Sequence, residues 1–257
     1  MCYDPTASPP PPPIAGGATD PEGRDLVLES ADGTRFAAFS ATTGTAGGAG
    51  MAILPDVRGL HRFYRELAMR FAEAGVHATA IDWFGRTAGL GERDDDFEYM
   101  PHVTQTKPDQ IAQDVGAALS HLRSPDGGSS EALFTVGFCF GGRQSFNQAA
   151  AGHALSGVIG FYGAVEARPP YPEETAPIRL APNYRCPVLG LFGGADQHIT
   201  SESIEKFRAA LDGVGVRNEM VVYDGAPHSF FDRTFVQYKN ECDDAWRRIL
   251  RFIQDAG

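Results

Sequence analysis

Short apolar runs alternate with longer amphipathic stretches from Asp25 to the end of the chain. Residues 25–30 and 34–41 read as strands flanking Asp32-Gly33, a dipeptide that favours a hairpin turn. Residues 51–55, 76–81, 131–136, 155–162, 187–192 and 217–223 are compact apolar runs, too short for helices and suited to buried strands. Between them lie helical patterns. In 62–74, Phe63, Leu67 and Phe71 share one face, and Gly75 follows as a stop. In 107–123, Ile111, Val115, Ala118 and Leu122 align. Residues 143–151, 201–211 and 236–255 complete the helical set. Residues 82–106 have no clear period, and 163–184 carry prolines at 169, 170, 172, 177 and 182, so both are expected to be long loops. This alternation predicts an α/β domain over 25–257, with a mostly parallel sheet and helices on both faces. Residues 1–24, with five consecutive prolines at 9–13, are expected to lie extended or disordered at the surface, with no function assigned.

Composition narrows the classes. The chain has 257 residues, 42% of them apolar, enough for a sizeable single core. A net charge of −11 argues against a nucleic-acid partner, which requires a basic face. The acidic run 92–96 reads as a solvated face. No apolar stretch approaches a membrane span. The four cysteines, Cys2, Cys139, Cys186 and Cys242, are scattered without C-x-x-C or Cys/His spacing, so neither a disulfide framework nor a metal site is expected. The N-terminus lacks a basic segment followed by an apolar one, which points to the cytoplasm. Oligomeric state is left open.

The candidate chemistry centres on Gly137-Phe138-Cys139-Phe140-Gly141-Gly142, between a strand pattern and a helix pattern. A sharp strand-to-helix turn needs small neighbours around its central residue and sets that residue at a helix N-terminus, where a thiolate is favoured. The competing reading is a small buried thiol in an ordinary turn. Two downstream segments bear on the choice. Asp196 follows the apolar run ending Leu191-Phe192-Gly193-Gly194, and His228 follows the last strand pattern and the turn Asp224-Gly225. Nucleophile, acid and histidine thus occur in the order used by one class of triads, each just past a strand end. Asp196 alone could be a helix cap, and His198 competes with His228 for the role of base; chain order favours His228. The N–H groups of Phe140 and, from the loop after the third strand, Val57 are the candidate oxyanion donors.

These segments resemble the dienelactone hydrolase family of the α/β-hydrolase fold. The likeness rests on residues 137–142, 191–199 and 223–230, together with Pro55-Asp56-Val57-Arg58-Gly59-Leu60 and Asp82-Trp83-Phe84-Gly85-Arg86, in order along nearly the whole chain. It implies hydrolysis of a small ester or lactone, anionic or neutral, through a thioester and without a cofactor. Cys139 would attack, His228 would carry the proton and Asp196 would orient His228. Arg86 would bind a substrate carboxylate. Its alternative reading is a surface arginine or an ion-pair partner of the acidic loop. Two positions depart from the family. Asp56 stands where a glutamate typically contacts the resting thiol, and Arg233 lies near, but out of register with, a second substrate-binding arginine. An esterase with no carboxylate requirement is therefore a competing expectation. So is a non-catalytic binding or redox-sensing protein on the same fold.

Overall fold

The computed structural model describes residues 7–13, 20–167, 169, 171–232 and 234–256. Strands β1 (Glu22–Glu29) and β2 (Arg35–Thr42) form the opening hairpin. They are followed by β3 (Ala49–Leu54), α1 (Arg62–Glu73), β4 (His77–Ile81), α2 (Gly85–Ala88), α3 (Met100–Val103) and α4 (Pro108–Arg123). The second half runs β5 (Ala132–Phe138), α5 (Phe140–Gln148), β6 (Gly157–Phe161), α6 (Pro177–Leu180), β7 (Val188–Gly193), α7 (Ser201–Asp212), β8 (Asn218–Tyr223) and α8 (Lys239–Ala256). Among the described residues, eight strands form one sheet in the order β1-β2-β4-β3-β5-β6-β7-β8. The hairpin joins β4 antiparallel, and every pair from β4 to β8 is parallel. The α/β reading of the sequence therefore holds.

Burial explains why the strand runs are so apolar. Strands β4, β6 and β7 are buried at every position, and β3 and β5 at all but the first. Helices cover both faces, so no polar alternation is needed. Phe63, Leu67 and Phe71 of α1 pack with Trp246, Ile249 and Ile253 of α8 in the larger core cluster. Ile111, Val115, Ala118 and Leu122 of α4 form a second cluster with Trp83 and Phe84.

Three features differ from the sequence reading. The 82–106 stretch contains α2 and α3, and within its acidic run Arg93 is buried, donating to Asp82 Oδ2 at 2.9 Å and to the Gly89 carbonyl at 2.7 Å. Charge pairing across the fold, invisible to a local pattern, anchors this loop. The last helix begins at Lys239, and Val236 is 75% exposed in the turns before it.

Among the described residues of 1–24, two short stretches are docked or paired rather than loose at the surface. Strand β1 starts at Glu22, with Gly23 paired to Ala41. Pro9 and Pro10 are buried, and Trp246 Nε1 donates to the Pro10 carbonyl at 3.0 Å. Prolines bring no N–H groups that must find partners, so this short segment can lie against the apolar surface with its carbonyls as acceptors.

Candidate active site

Cys139 lies between β5 and α5 with φ 54° and ψ −111°. That backbone is unfavourable for a non-glycine residue, by on the order of 1–3 kcal/mol. It persists because its surroundings leave no alternative. Cys139 N–H donates to the Phe161 carbonyl at 3.1 Å, and Arg143 N–H donates back to the Cys139 carbonyl at 3.2 Å. The flanking glycines are required by close approach: a Cβ on Gly137 would lie 1.9 Å from the Gly141 carbonyl oxygen, and one on Gly141 2.1 Å from that of Leu54. The turn holds the Cys139 thiol partly accessible at the N-terminus of α5. The other described thiols are different. Burial pushes Cys186 and Cys242 up to about 12, which leaves them protonated and inert.

Asp196 follows β7 and His228 follows β8, adjacent parallel strands, so both residues emerge at the same sheet end. His228 Nδ1 and Asp196 Oδ2 lie 2.6 Å apart. Asp196 Oδ1 accepts from the backbone N–H of His198 at 2.8 Å and of Ile199 at 3.3 Å. Burial opposes the charge on Asp196, but the His228 ring and these N–H groups outweigh it, and the carboxyl is held below its usual range. One Asp196 oxygen thus meets the His228 ring and the other the backbone of its own turn, while the N-cap of α7 is Thr200. His198 contributes its backbone to Asp196, while its ring stands edge-on to His228 at 6.2 Å. Tyr162, buried and at φ 38°, packs against the other side of His228 at 4.9 Å.

Phe140 is the first residue of α5, where an N–H has no intrahelical acceptor. Val57 lies in the loop after β3. That loop is held at several points: Asp56 N–H donates to Tyr64 Oη at 2.9 Å, Gly59 N–H to the Asp56 carbonyl at 3.2 Å, and Trp83 Nε1 to the Pro55 carbonyl at 3.1 Å. The Trp83 ring meets Phe140 edge-on at 5.4 Å, so one indole braces both candidate donors. Trp83, Phe84 and Phe230 are buried in the core.

The charged candidates are differently placed. Asp56 is paired with Arg58, whose Nε and Nη2 approach both its oxygens at 2.8–3.0 Å. Arg86 donates to Asp32, to Thr34 Oγ1 at 2.5 Å and to Asp114 Oδ1 at 2.7 Å. Its partners are the hairpin turn and α4, not the acidic loop. Arg233 lies outside the described residues. Arg58, Asp232 and Tyr64 were passed over in the sequence; an Asp-x-Arg spacing at 56–58 was the one available signal.

No cluster of His, Cys, Asp or Glu suited to a metal ion occurs among the described residues, and no described helix is long and apolar enough to cross a membrane.

The geometry can be set beside known proteins. A "Putative carboxymethylenebutenolidase" of Escherichia coli (strain K12) is 28% identical over 207 residues, covering 80% of this chain and 76% of that protein. A "Carboxymethylenebutenolidase" of Rhodococcus opacus is 27% identical over 231 residues, covering 83% and 84%. The crystal structure of a "Putative Dienelactone Hydrolase" from Klebsiella pneumoniae superposes with a TM-score of 0.77 at 26% identity, over 92% of this chain and 99% of that one. The model of the dienelactone hydrolase family matches residues 36–257, a span that takes in β3 to α8 and the loops carrying Val57, Cys139, Asp196 and His228. This chain is therefore a hydrolase belonging to the dienelactone hydrolase family.

Proposed function

We propose that this protein hydrolyses a small ester or lactone by nucleophilic catalysis at Cys139. The observation that carries the reading is the Asp196–His228 pair on the same sheet end as a cysteine held at a strained strand-to-helix turn. With Nδ1 engaged by Asp196, the neutral imidazole has Nε2 available to exchange protons. His228 takes the thiol proton as Cys139 Sγ bonds to the carbonyl carbon. The resulting oxyanion is met by the Val57 and Phe140 N–H groups. The carbon–oxygen ester bond then breaks, and the departing alkoxide receives the proton from His228. Water attacks the thioester with His228 as base; carboxylic acid leaves and the thiol is regenerated. In a lactone the alkoxide stays tethered to the acyl group. A working thiol also fits a reducing, cytoplasmic setting.

Intact-mass measurement during turnover of an activated short-chain ester tests this mechanism. The expected result is a transient acyl increment that maps to the peptide containing Cys139. Turnover with the increment absent under rapid quenching, or mapped to another residue, would remove the thioester from the scheme.

One observation favours a hydrolase with no carboxylate requirement over one selective for anionic substrates. The Arg86 guanidinium is already engaged by two carboxylates and a hydroxyl. Both carboxylates come from the scaffold, Asp32 from the hairpin turn and Asp114 from α4. Arg86→Ala is expected to change the ratio of kcat/KM for anionic and neutral esters by less than about threefold, since structural pairs act on the fold rather than on selectivity. A loss confined to anionic esters would restore the substrate-binding role.

A further inference from the structure

The candidate site depends on two loops from strands that are not neighbours in the sheet. Val57 follows β3 and His228 follows β8, and in the sheet order β5, β6 and β7 lie between those strands. The sheet relates them only through the ladders of these three intervening strands. Arg58 relates the two loops directly. Its Nε bonds to Asp56 Oδ1 and Oδ2 at 3.0 Å, and its Nη2 to Asp56 Oδ2 at 2.8 Å. The same Nη2 donates to Asp232 Oδ2 at 2.5 Å, across 174 residues of chain. All three side chains are buried, with the Arg58 side chain 4% exposed. The guanidinium also lies 5.7 Å from the ring centres of Phe63 and Tyr64 on α1. At the other end, Asp232 N–H closes a turn onto the Ser229 carbonyl at 3.1 Å, in the segment immediately after His228. The charges of Asp56 and Asp232 also bear on buried Tyr162, whose ring packs against His228.

We propose that Arg58 is a positioning residue, a buried cross-link that sets the distance between the Val57 oxyanion donor and the His228 base. The inference rests on the mechanism proposed above. Val57 is held between Asp56 and Arg58, the two halves of the clamp, so a shift of the guanidinium moves its N–H directly. The planar fork of arginine can engage two carboxylates at fixed angles, whereas a lysine ammonium supplies charge without that geometry. The clamp also changes the role of Asp56. Both its oxygens accept from Arg58, which ties this carboxylate to the geometry of the loop. Asp232 supplies the second anchor from a position that looked incidental beside Arg233.

The test is steady-state kinetics of Arg58→Lys and Asp232→Asn on neutral and carboxylate-bearing esters, with thermal denaturation and iodoacetamide labelling of Cys139. Misplacement by about 1 Å can cost roughly 100-fold, so kcat is expected to fall about 30- to 100-fold in both variants. KM is expected to stay within about threefold and the loss to be equal for both substrate classes, because a transition-state donor is displaced while ground-state binding is kept. Millimolar guanidinium is expected to restore part of the kcat of Arg58→Ala, which a merely unfolded variant would not show. Unchanged kcat in Asp232→Asn overturns the proposal, even if Arg58→Lys folds poorly. A KM increase restricted to anionic esters also overturns it, in favour of a substrate-binding arginine. Failure of the mechanism itself is seen separately: wild-type enzyme labelled at Cys139 would then keep its turnover.

Discussion

Cys139→Ala is expected to lower kcat by about ten-thousand- to million-fold, the range seen when a covalent nucleophile is removed. The mutant should fold. Alanine has nearly the volume of the cysteine it replaces, and the partly accessible side chain leaves no sealed cavity. Backbone strain at φ 54° is shared by both residues, and the hydrogen bonds holding the turn are made by the Cys139 N–H and carbonyl. Cys139→Ser should retain a fraction of the rate, since Val57, Phe140, Asp196 and His228 remain in place while the hydroxyl is far less acidic than a thiol. The measurement is initial-rate kinetics on an activated ester, alongside circular dichroism and a melting curve. Near-normal turnover by the folded alanine variant would falsify nucleophilic catalysis at this residue and revive the binding or redox-sensing alternative.

Gly137→Ala is expected to destabilise the fold by about 3–5 kcal/mol, at or beyond the upper end for overpacking. The added methyl would sit 1.9 Å from the Gly141 carbonyl oxygen, 2.3 Å from its carbon and 2.8 Å from Gly142 N. These are backbone atoms and cannot swing aside. Nor can α5 retreat, because Gly141 is itself pressed against the Leu54 and Pro55 carbonyls, and Gly142 against that of Phe161. Strain at one position would therefore pass into β3, β5 and β6 together. At roughly 2–4 °C per kcal/mol for a chain of this size, the melting temperature should fall by about 6–20 °C. A drop under about 2 °C would show that the turn tolerates a side chain and that its glycines have another purpose.

The strands were legible because a parallel sheet covered on both faces favours apolar residues: 51–55 and 187–192 carry no polar side chain, and 76–81 only His77 and Thr79. The turn around Cys139 was legible because its chemistry and its steric demands fall within six residues. Asp196 and His228 were legible by order, since each follows its own strand. Contacts that depend on assembly were not. Asp32 belongs to the hairpin turn and Asp114 to α4. Their meeting at Arg86 exists only once the hairpin lies beside α4. Resemblance placed Arg86 in the right segment but could not supply its partners. Asp56 drew attention through its short side chain, yet what matters is the guanidinium two residues on, tied to a carboxylate 174 positions away. The proline run looked like an inert tail because low-complexity segments have no local reason to dock; the donor it satisfies belongs to a helix at the opposite end of the chain.

That last contact gives the protein an optical property. Its two tryptophans sit at separate joints: Trp83 between the oxyanion loop and Phe140, Trp246 beneath the N-terminal prolines and against Phe71 and Phe231. Both indole N–H groups are bound to backbone carbonyls in dry surroundings. Emission from a protein mutated to leave one indole would therefore report on one joint alone, on the catalytic rim through Trp83 or on the seating of the amino-terminal segment through Trp246. The two readings need no external dye.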